Sequence, residues 1–125
     1  MLLVNARAGA SDIHGLGLIA REHIPAGAPV WEFRPGFDLV IGPDEFARLA
    51  GPAGEQVRHY GFLHEPTGAF ILSADDDRFT NHADAPNTRL DGFRTFAIRD
   101  IRLGEEITGD YRELARMPLP HGSVR

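Results

Sequence analysis

The chain of 125 residues contains no cysteine, no lysine and no long hydrophobic run. Without thiols, disulfide bonds and thiolate zinc sites are both excluded for these residues. No apolar stretch approaches the ~20 residues that a membrane-spanning helix needs. Residues 1–4 are too short for the apolar core of a signal peptide and lack a basic flank. We therefore expect a cytoplasmic protein with no membrane partner.

Positive charge is also scarce and of one kind. Thirteen basic residues, all arginine, stand against 18 acidic ones, which gives a net charge of −5. Binding to phosphate backbones needs clustered cations, so the composition argues against nucleic acid as a direct partner. A negative surface instead attracts a cationic peptide by electrostatic steering.

The length and the pattern of short runs predict one mainly β (β-rich α+β) domain. Short apolar or β-branched runs are separated by turn residues, which is typical of strands. The predicted strands are residues 1–6, 17–24, 30–33, 39–41, 69–73, 95–98 and 106–108. Between Pro43 and Tyr60 the apolar spacing favours helix, with Asp44 as a possible N-cap. Gly51-Pro52 interrupts it, so we expect two short helices there. Residues 75–77, three aspartates, predict an exposed turn.

Two segments of the chain have similar residues at the same spacing. Ala20, Ile24, Gly27 and Val30 match Ala97, Ile101, Gly104 and Ile107 in type and spacing. Each segment predicts a strand–turn–strand hairpin with glycine at the position of special backbone angle. We expect one hairpin on each side of a shared site.

Three motifs carry most of the functional information. Residues 78–87 read Arg-Phe-Thr-Asn-His-Ala-Asp-Ala-Pro-Asn, and residues 104–111 read Gly-Glu-Glu-Ile-Thr-Gly-Asp-Tyr. Gly15-Leu16-Gly17 lies upstream. In this order and spacing they resemble the RFxNHxxxPN, GEExxxDY and GxG motifs of SET-domain lysine methyltransferases. The resemblance covers the chain from Gly15 to Tyr111.

The resemblance implies a SET fold of several small sheets, one or two short helices and a C-terminal pseudoknot. In the pseudoknot, the segment that ends in Asp110-Tyr111 threads a loop formed by the Asn81-His82 segment. The chain is then one domain, 1–125. It divides into N-terminal strands (1–42), a helical insert (43–68), a C-terminal part with the motifs (69–111) and a short tail (112–125).

The resemblance also implies methyl transfer from S-adenosyl-L-methionine to a lysine amine of a protein, with S-adenosyl-L-homocysteine as product and no metal. Asn81 would contact the methionine portion of the cofactor, and the backbone of His82 its adenine edge, while the His82 ring is structural. Since the chain holds no lysine, the acceptor must lie on another molecule. The implied cofactor-binding residues are Gly15, Leu16, Gly17, Arg78, Phe79, Asn81, His82 and Tyr111.

Tyr111 is the predicted catalytic residue, because the last tyrosine of the family motif lies beside the transferred methyl. A phenol with a pKa near ~10 is protonated at neutral pH. We therefore expect Tyr111 to orient the lysine nitrogen and not to act as a base. The ammonium proton would leave to solvent through a water channel.

The chain departs from the family pattern at two places near the predicted substrate. Ala83-Asp84 replaces the usual Ser-Cys, and Asp84 would face solvent or the incoming lysine. Gly109 replaces an aromatic residue. Either the pocket is roomier and admits more methyl groups, or Tyr60 or Phe62 fills the space. The candidate substrate residues are Tyr60, Asp84 and Gly109.

The cysteine-rich segment that closes the active site in many relatives is also missing. Either the tail, residues 112–125, or the second subunit of a homodimer would close it here. These departures leave two alternatives open. One is a SET-like binding module that has lost catalysis, and the other is a methyltransferase acting on a non-histone protein or a small amine.

Overall fold

A computed structural model describes residues 1–120 and 123. Within this part of the chain, short strands outnumber short helices, which confirms the predicted fold class. The strands are β1 (Ala6–Ala10), β2 (Leu16–Ala20), β3 (Pro29–Glu32), β4 (Leu39–Ile41), β5 (Phe62–His64), β6 (Ala69–Leu72), β7 (Asn81–His82), β8 (Thr88–Asp91), β9 (Arg94–Ala97) and β10 (Glu106–Gly109). The helices are α1 (Pro43–Ala47), α2 (Pro52–Tyr60) and α3 (Tyr111–Leu114), and a 3₁₀ turn spans Asp76–Phe79.

The sheet that positions the motifs has the strand order β1-β2-β10-β7. Strand β10 runs antiparallel to β2 and parallel to β7. Thr108 is paired with Asn81, and Gly109 with His82. The two downstream motifs therefore lie side by side, as the expected pseudoknot requires.

Two smaller sheets complete the described fold, in the orders β3-β9-β8 and β4-β6-β5. One apolar cluster, around Leu18, Ile24 and Ile107, packs beneath the motif sheet. A second cluster forms around Trp31 and Phe33, which are both 2% exposed. Each such side chain contributes about 1.5–3 kcal/mol on burial, so the two clusters hold the sheets together.

The two segments of similar sequence, 20–30 and 97–107, pair with each other. Neither of them forms the hairpin that was predicted. Ile24 and Ile101 exchange two backbone hydrogen bonds of 2.8 Å. On one side of this pair, the Gly104 N–H donates to the Ala20 carbonyl (2.8 Å), and on the other the Gly27 N–H donates to the Ala97 carbonyl (2.7 Å). The hairpin prediction was wrong about the partner. It was right about the turns, because Gly27 and Gly104 have φ of 85° and 87°.

The prediction of a first strand at residues 1–6 was wrong. Leu2 makes only an isolated bridge, to Trp31, and β1 spans Ala6–Ala10, where no strand was predicted beyond residue 6. Gly9 explains this: a Cβ there would lie 2.8 Å from Cγ1 of Ile19 on the paired strand. Small residues in β1 make room for the larger side chains of β2.

The aspartates at 75–77 do not form the exposed turn that was predicted. All three are half-buried, and their carboxylates anchor other segments. Asp75 accepts the Leu2 N–H at 2.8 Å and Asp76 accepts the Ala8 N–H at 3.0 Å. These bonds hold the N-terminal segment against the 3₁₀ turn.

The two short helices are confirmed between Pro43 and Tyr60. Asp44 is not the N-cap: Gly42 occupies that position, Pro43 starts the helix and Asp44 lies in its first turn. The predicted insert, 43–68, also contains β5, which pairs with β6. In the described part of the chain, every helix is too short or too polar to cross a bilayer.

Candidate active site

A cleft of about 460 Å³ lies between the glycine turn at residues 13–16 and the segment 78–82. It gathers most of the residues predicted to bind cofactor. Gly15 has φ of 47°, and a Cβ there would meet nothing within 4 Å, so the turn presents bare backbone to open space. The lining residues are Ile13, His14, Gly15, Leu16, His59, Tyr60, Arg78, Phe79, Thr80, Asn81, His82 and Tyr111.

The Asn81 side chain joins the two sides of this cleft by hydrogen bonds. Its amide nitrogen lies 3.0 Å from the Leu16 carbonyl and 3.3 Å from the His14 carbonyl. It also lies 2.9 Å from Oε2 of Glu106 and 3.1 Å from Oγ of Ser11. An amide has only two N–H donors, so these four acceptors share them. The side chain therefore fixes the glycine turn to the motif strands.

The His82 ring is structural, as predicted. Its Nδ1 accepts the Tyr111 N–H at 3.1 Å, which leaves the proton on Nε2, 3.3 Å from Oδ1 of Asp84. The ring lies against the Tyr111 ring with centroids 5.6 Å apart. The histidine thus positions the start of α3, where Tyr111 is the first residue.

Tyr111 is held from both ends. Its hydroxyl donates to the Thr80 carbonyl at 2.5 Å. Asp110 caps α3 by accepting the Arg112 N–H at 2.9 Å, and the hydrogen bonds from Arg112 lower the pKa of Asp110. Burial, together with the charge of Asp77, raises the pKa of Tyr111 above its usual value. The phenol therefore stays protonated at neutral pH, which suits an orienting role.

A second, smaller cavity of about 40 Å³ lies on the other side of Tyr111. Tyr60, Arg78, Thr80 and Tyr111 line both spaces and so form the wall between them. That volume holds one or a few small groups, since a single water needs roughly 10–15 Å³ by the same measure. We call this space the inner cavity.

Gly109 lines the inner cavity, and its φ is not positive, so the backbone does not require glycine there. A Cβ would lie 3.8 Å from Thr80 and Thr88, an ordinary contact. Tyr60 and Phe62 also line the cavity. Two aromatic residues therefore line the space beside Gly109, and a small volume remains there.

Two predicted site residues lie outside both cavities. The Asp84 side chain is 97% exposed, and its Oδ1 lies 3.3 Å from Nε2 of the His82 ring. Gly17 packs against Glu106, where a Cβ would lie 2.5 Å from the carboxylate. Gly17 thus makes room for the carboxylate that bonds Ser11 and Asn81.

Sequence reasoning missed several residues of the site. Ser11 bonds Glu106 at 2.7 Å, and the His14 and His59 rings lie 6.4 Å apart at the cleft. Asp77 lies at the inner cavity. Ser11 meets Glu106 across 95 residues of sequence, so no spacing rule identifies it. Asp77 bonds Ser73 and Thr80, which are only four and three residues away, but the sequence pattern did not assign these contacts to a site. Among the described residues, no group of acidic or histidine side chains is arranged to hold a metal ion.

The tail closes the inner cavity on one side. Glu113 and Leu114 line it, and Met117, 1% exposed, packs in the Trp31 cluster. The His64 ring holds this segment through a 2.8 Å hydrogen bond to the Met117 carbonyl. The start of the tail therefore forms one side of the inner cavity. Residues 121, 122, 124 and 125 of the predicted tail lie outside the described residues, and the homodimer stays a prediction.

Fold and site together define a β-rich domain in which a tyrosine separates a ligand-sized cleft from a narrow inner cavity. The family model of the SET domain matches residues 15–112. The chain therefore belongs to the SET domain family, as its motifs predicted.

Its relatives include much larger proteins. A histone-lysine N-methyltransferase of Yarrowia lipolytica, H3 lysine-36 specific, is 34% identical over 108 residues, which is 78% of this chain and 14% of the relative. An H3 lysine-4 specific enzyme of Schizosaccharomyces pombe is 33% identical over 125 residues, covering 83% of this chain and 12% of the relative. The chain thus spans only a small part of the length of these relatives.

Solved structures agree with this assignment. The Chaetomium thermophilum Polycomb Repressive Complex 2 bound to GSK126 superimposes with a TM-score of 0.65 at 27% identity, over 86% of this chain and 16% of that one. A Neurospora SET domain protein, a histone lysine methyltransferase, gives a TM-score of 0.60 at 21% identity, over 88% of this chain and 53% of that one. The second match supports the fold alone.

Proposed function

We propose that this chain transfers a methyl group from S-adenosyl-L-methionine to the side-chain amine of lysine in a protein. The observation that carries the proposal is the position of Tyr111. It lines the cleft that holds the motif residues and also the narrow cavity beside Gly109. A donor on one side and an alkyl amine on the other would meet at this residue. Much of the acceleration would come from that alignment.

The cleft suits the proposed cofactor. Its volume of about 460 Å³ falls within the range of about 300–1,000 Å³ for small-molecule sites. The backbone at Gly15 and Leu16, the Asn81 amide and the His82 main chain would hold the molecule. Tyr60 and Phe79 offer ring surfaces, with centroids 5.3 Å apart in an edge-to-face pair. When bound, S-adenosyl-L-methionine supplies an electrophilic methyl group on a positively charged sulfur.

The acceptor is a lysine on another protein. The chain contains no lysine, so its own side chains cannot be modified. Its net charge of −5 favours a cationic polypeptide. The relatives named above act on histones, which makes a lysine-rich basic protein the first acceptor to test.

The proposal is tested by incubating the purified chain with methyl-labelled S-adenosyl-L-methionine and one of three acceptors: mixed core histones, poly-L-lysine or free lysine. We expect labelled Nε-methyllysine after hydrolysis of a polypeptide acceptor. Label in free lysine alone would favour the small-amine alternative. Cofactor binding without transfer to any acceptor would favour the inactive binding module.

Tyr111→Phe should lower turnover at least tenfold, about 1.4 kcal/mol in the barrier. The change removes the hydroxyl that bonds the Thr80 carbonyl and leaves the ring in place. Single-turnover kinetics give the rate, and calorimetry should show nearly unchanged cofactor affinity. Unaltered turnover in a folded variant would remove Tyr111 from the mechanism.

Asn81→Ala should weaken cofactor binding by about 1–3 kcal/mol, the cost of leaving its hydrogen-bond partners unsatisfied. The loss frees the Leu16 carbonyl and Glu106 together, so the glycine turn loses its support. Calorimetry with S-adenosyl-L-homocysteine measures the effect. Asn5→Ala, at an exposed position, is the matched control and should bind normally. Equal affinity of the two variants would contradict the role of Asn81.

A further inference from the structure

The inner cavity contains a carboxylate that the proposed reaction has not yet used. Oδ2 of Asp77 accepts the Ser73 hydroxyl at 2.7 Å, and Oδ1 accepts the Thr80 hydroxyl at 3.2 Å. The 3₁₀ turn is itself capped, since Asp75 accepts the Asp77 N–H at 3.2 Å. A carboxylate can accept about four hydrogen bonds, so Asp77 is held in place with capacity left for another donor.

The remaining walls suit an alkyl chain that ends in a nitrogen. Apolar and aromatic side chains surround the cavity, and Asp77 lies among them. The apolar and aromatic lining includes Val30, Trp31, Tyr60, Phe62, Leu90, Ile107, Tyr111 and Leu114. A lysine side chain has this combination of an apolar stem and a charged end.

Gly109 keeps the approach to Asp77 open. A side chain at this position would start 3.8 Å from the methyl of Thr80, the residue whose hydroxyl bonds Asp77. An aromatic ring there would extend into the space beside this pair. Gly109 and Asp77 therefore lie on two sides of the same threonine, Thr80.

Other charges around Asp77 are already paired or bonded. The Met1 ammonium, which lowers the pKa of Asp77, is bonded to Asp38 at 2.9 Å. Arg78 donates to the Ala74 carbonyl at 3.2 Å. Asp75 raises the pKa of Asp77 through its own charge. The other titratable groups lining the cavity are Tyr60, Asp110, Tyr111 and Glu113.

We propose that Asp77 is the base that takes the proton from the substrate ammonium. This inference rests on the proposed function and adds a residue to it. The N–H bond breaks, an O–H bond forms on the Asp77 carboxylate, and the electron pair stays on nitrogen as the nucleophilic lone pair. After transfer, the protonated Asp77 returns its proton to solvent.

The cavity brings the pKa values of the lysine ammonium and of Asp77 closer together. In water, lysine at ~10.4 and aspartate at ~3.9 have very different pKa values. Burial raises the pKa of Asp77 to about 6. The same desolvation lowers the pKa of a lysine ammonium that enters the cavity. Proton transfer between them is therefore much less uphill than in water.

The first test compares single-turnover methylation of poly-L-lysine by wild type and Asp77→Asn between pH 6 and 10. The variant should be at least tenfold slower at pH 7. It should approach the wild type near pH 10, where the acceptor loses its proton without help. Asp91→Asn, which changes an exposed carboxylate, should follow the wild-type profile. A constant ratio of rates across this range would overturn the proposal.

The second test does not depend on catalysis. The carboxyl ¹³C resonance of Asp77, assigned by its absence in Asp77→Asn, is titrated with and without n-butylamine. Its pKa should lie near 6, and it should fall when the alkylammonium binds beside it. An unchanged titration would overturn the placement of Asp77, whatever the activity. A shifted titration in a protein without methyl transfer would support the amine site and count against the proposed function.

Discussion

Asn87→Ala should lower the free energy of unfolding by about 2–5 kcal/mol. Asn87 is 2% exposed and bonds β10 from both ends of its amide. Its Nδ2 donates to the Glu106 carbonyl at 2.8 Å, and its Oδ1 accepts the Thr108 N–H at 2.9 Å. Alanine leaves both backbone groups buried without these partners, and each such group costs about 1–3 kcal/mol.

Urea denaturation measures this effect against Asn5→Ala as the matched control. Asn5 is exposed, so that variant should stay within about 0.5 kcal/mol of the wild type. Because Asn87 joins the loop after β7 to β10, the unfolding loss should be accompanied by weaker cofactor binding. A loss below 1 kcal/mol for Asn87→Ala would show that this side chain does not hold the two motif segments together.

Asp77→Asn should raise the free energy of unfolding at pH 8 by up to about 3 kcal/mol. The folded protein raises the pKa of Asp77 from 3.8 to about 6, chiefly through burial. Each pKa unit corresponds to about 1.4 kcal/mol. The folded state then binds more protons than the unfolded state between these two values, so stability falls as pH rises through this window. Asparagine resembles the protonated carboxyl and avoids the loss.

The gain should therefore depend on pH in a specific way. Wild type and Asp77→Asn should be similarly stable at pH 3, diverge between pH 4 and 6, and keep a constant difference above pH 7. Denaturation at several pH values, with Asp91→Asn as the exposed control, measures this. A variant less stable than the wild type at pH 8 would mean that the Ser73 and Thr80 bonds outweigh the burial cost. A stabilised but slow variant would show that the site keeps a destabilising carboxylate for its function.

Short-range sequence signals, namely glycine and proline, correctly predicted a helix break and two turns. The Gly51-Pro52 break correctly divided the helical segment, and the turns at Gly27 and Gly104 have the backbone angles that glycine permits. The motif resemblance correctly predicted that Asn81 and Tyr111 face one cleft. The spacing of a family motif identifies residues that share a site, whereas hydrophobic periodicity indicates only secondary structure.

Features that depend on distant partners could not be predicted. Strand β1 is rich in alanine and glycine, and it becomes a strand because Gly9 accommodates Ile19. The pairing of Ile24 with Ile101 joins segments 77 residues apart, so two similar local patterns misled the hairpin prediction. The aspartates at 75–77 were predicted to form an exposed turn because the Leu2 and Ala8 N–H groups that bond Asp75 and Asp76 lie 73 and 68 residues away in sequence.

The central claim is that one cleft holds the methyl donor while Tyr111 separates it from the amine. A crystal of the chain grown with S-adenosyl-L-homocysteine tests this most directly. We predict density between the Gly15-Leu16 backbone and Asn81-His82, with the sulfur directed at the wall formed by Tyr111 and Thr80. Density at any other surface, or no binding at millimolar ligand, would contradict the account.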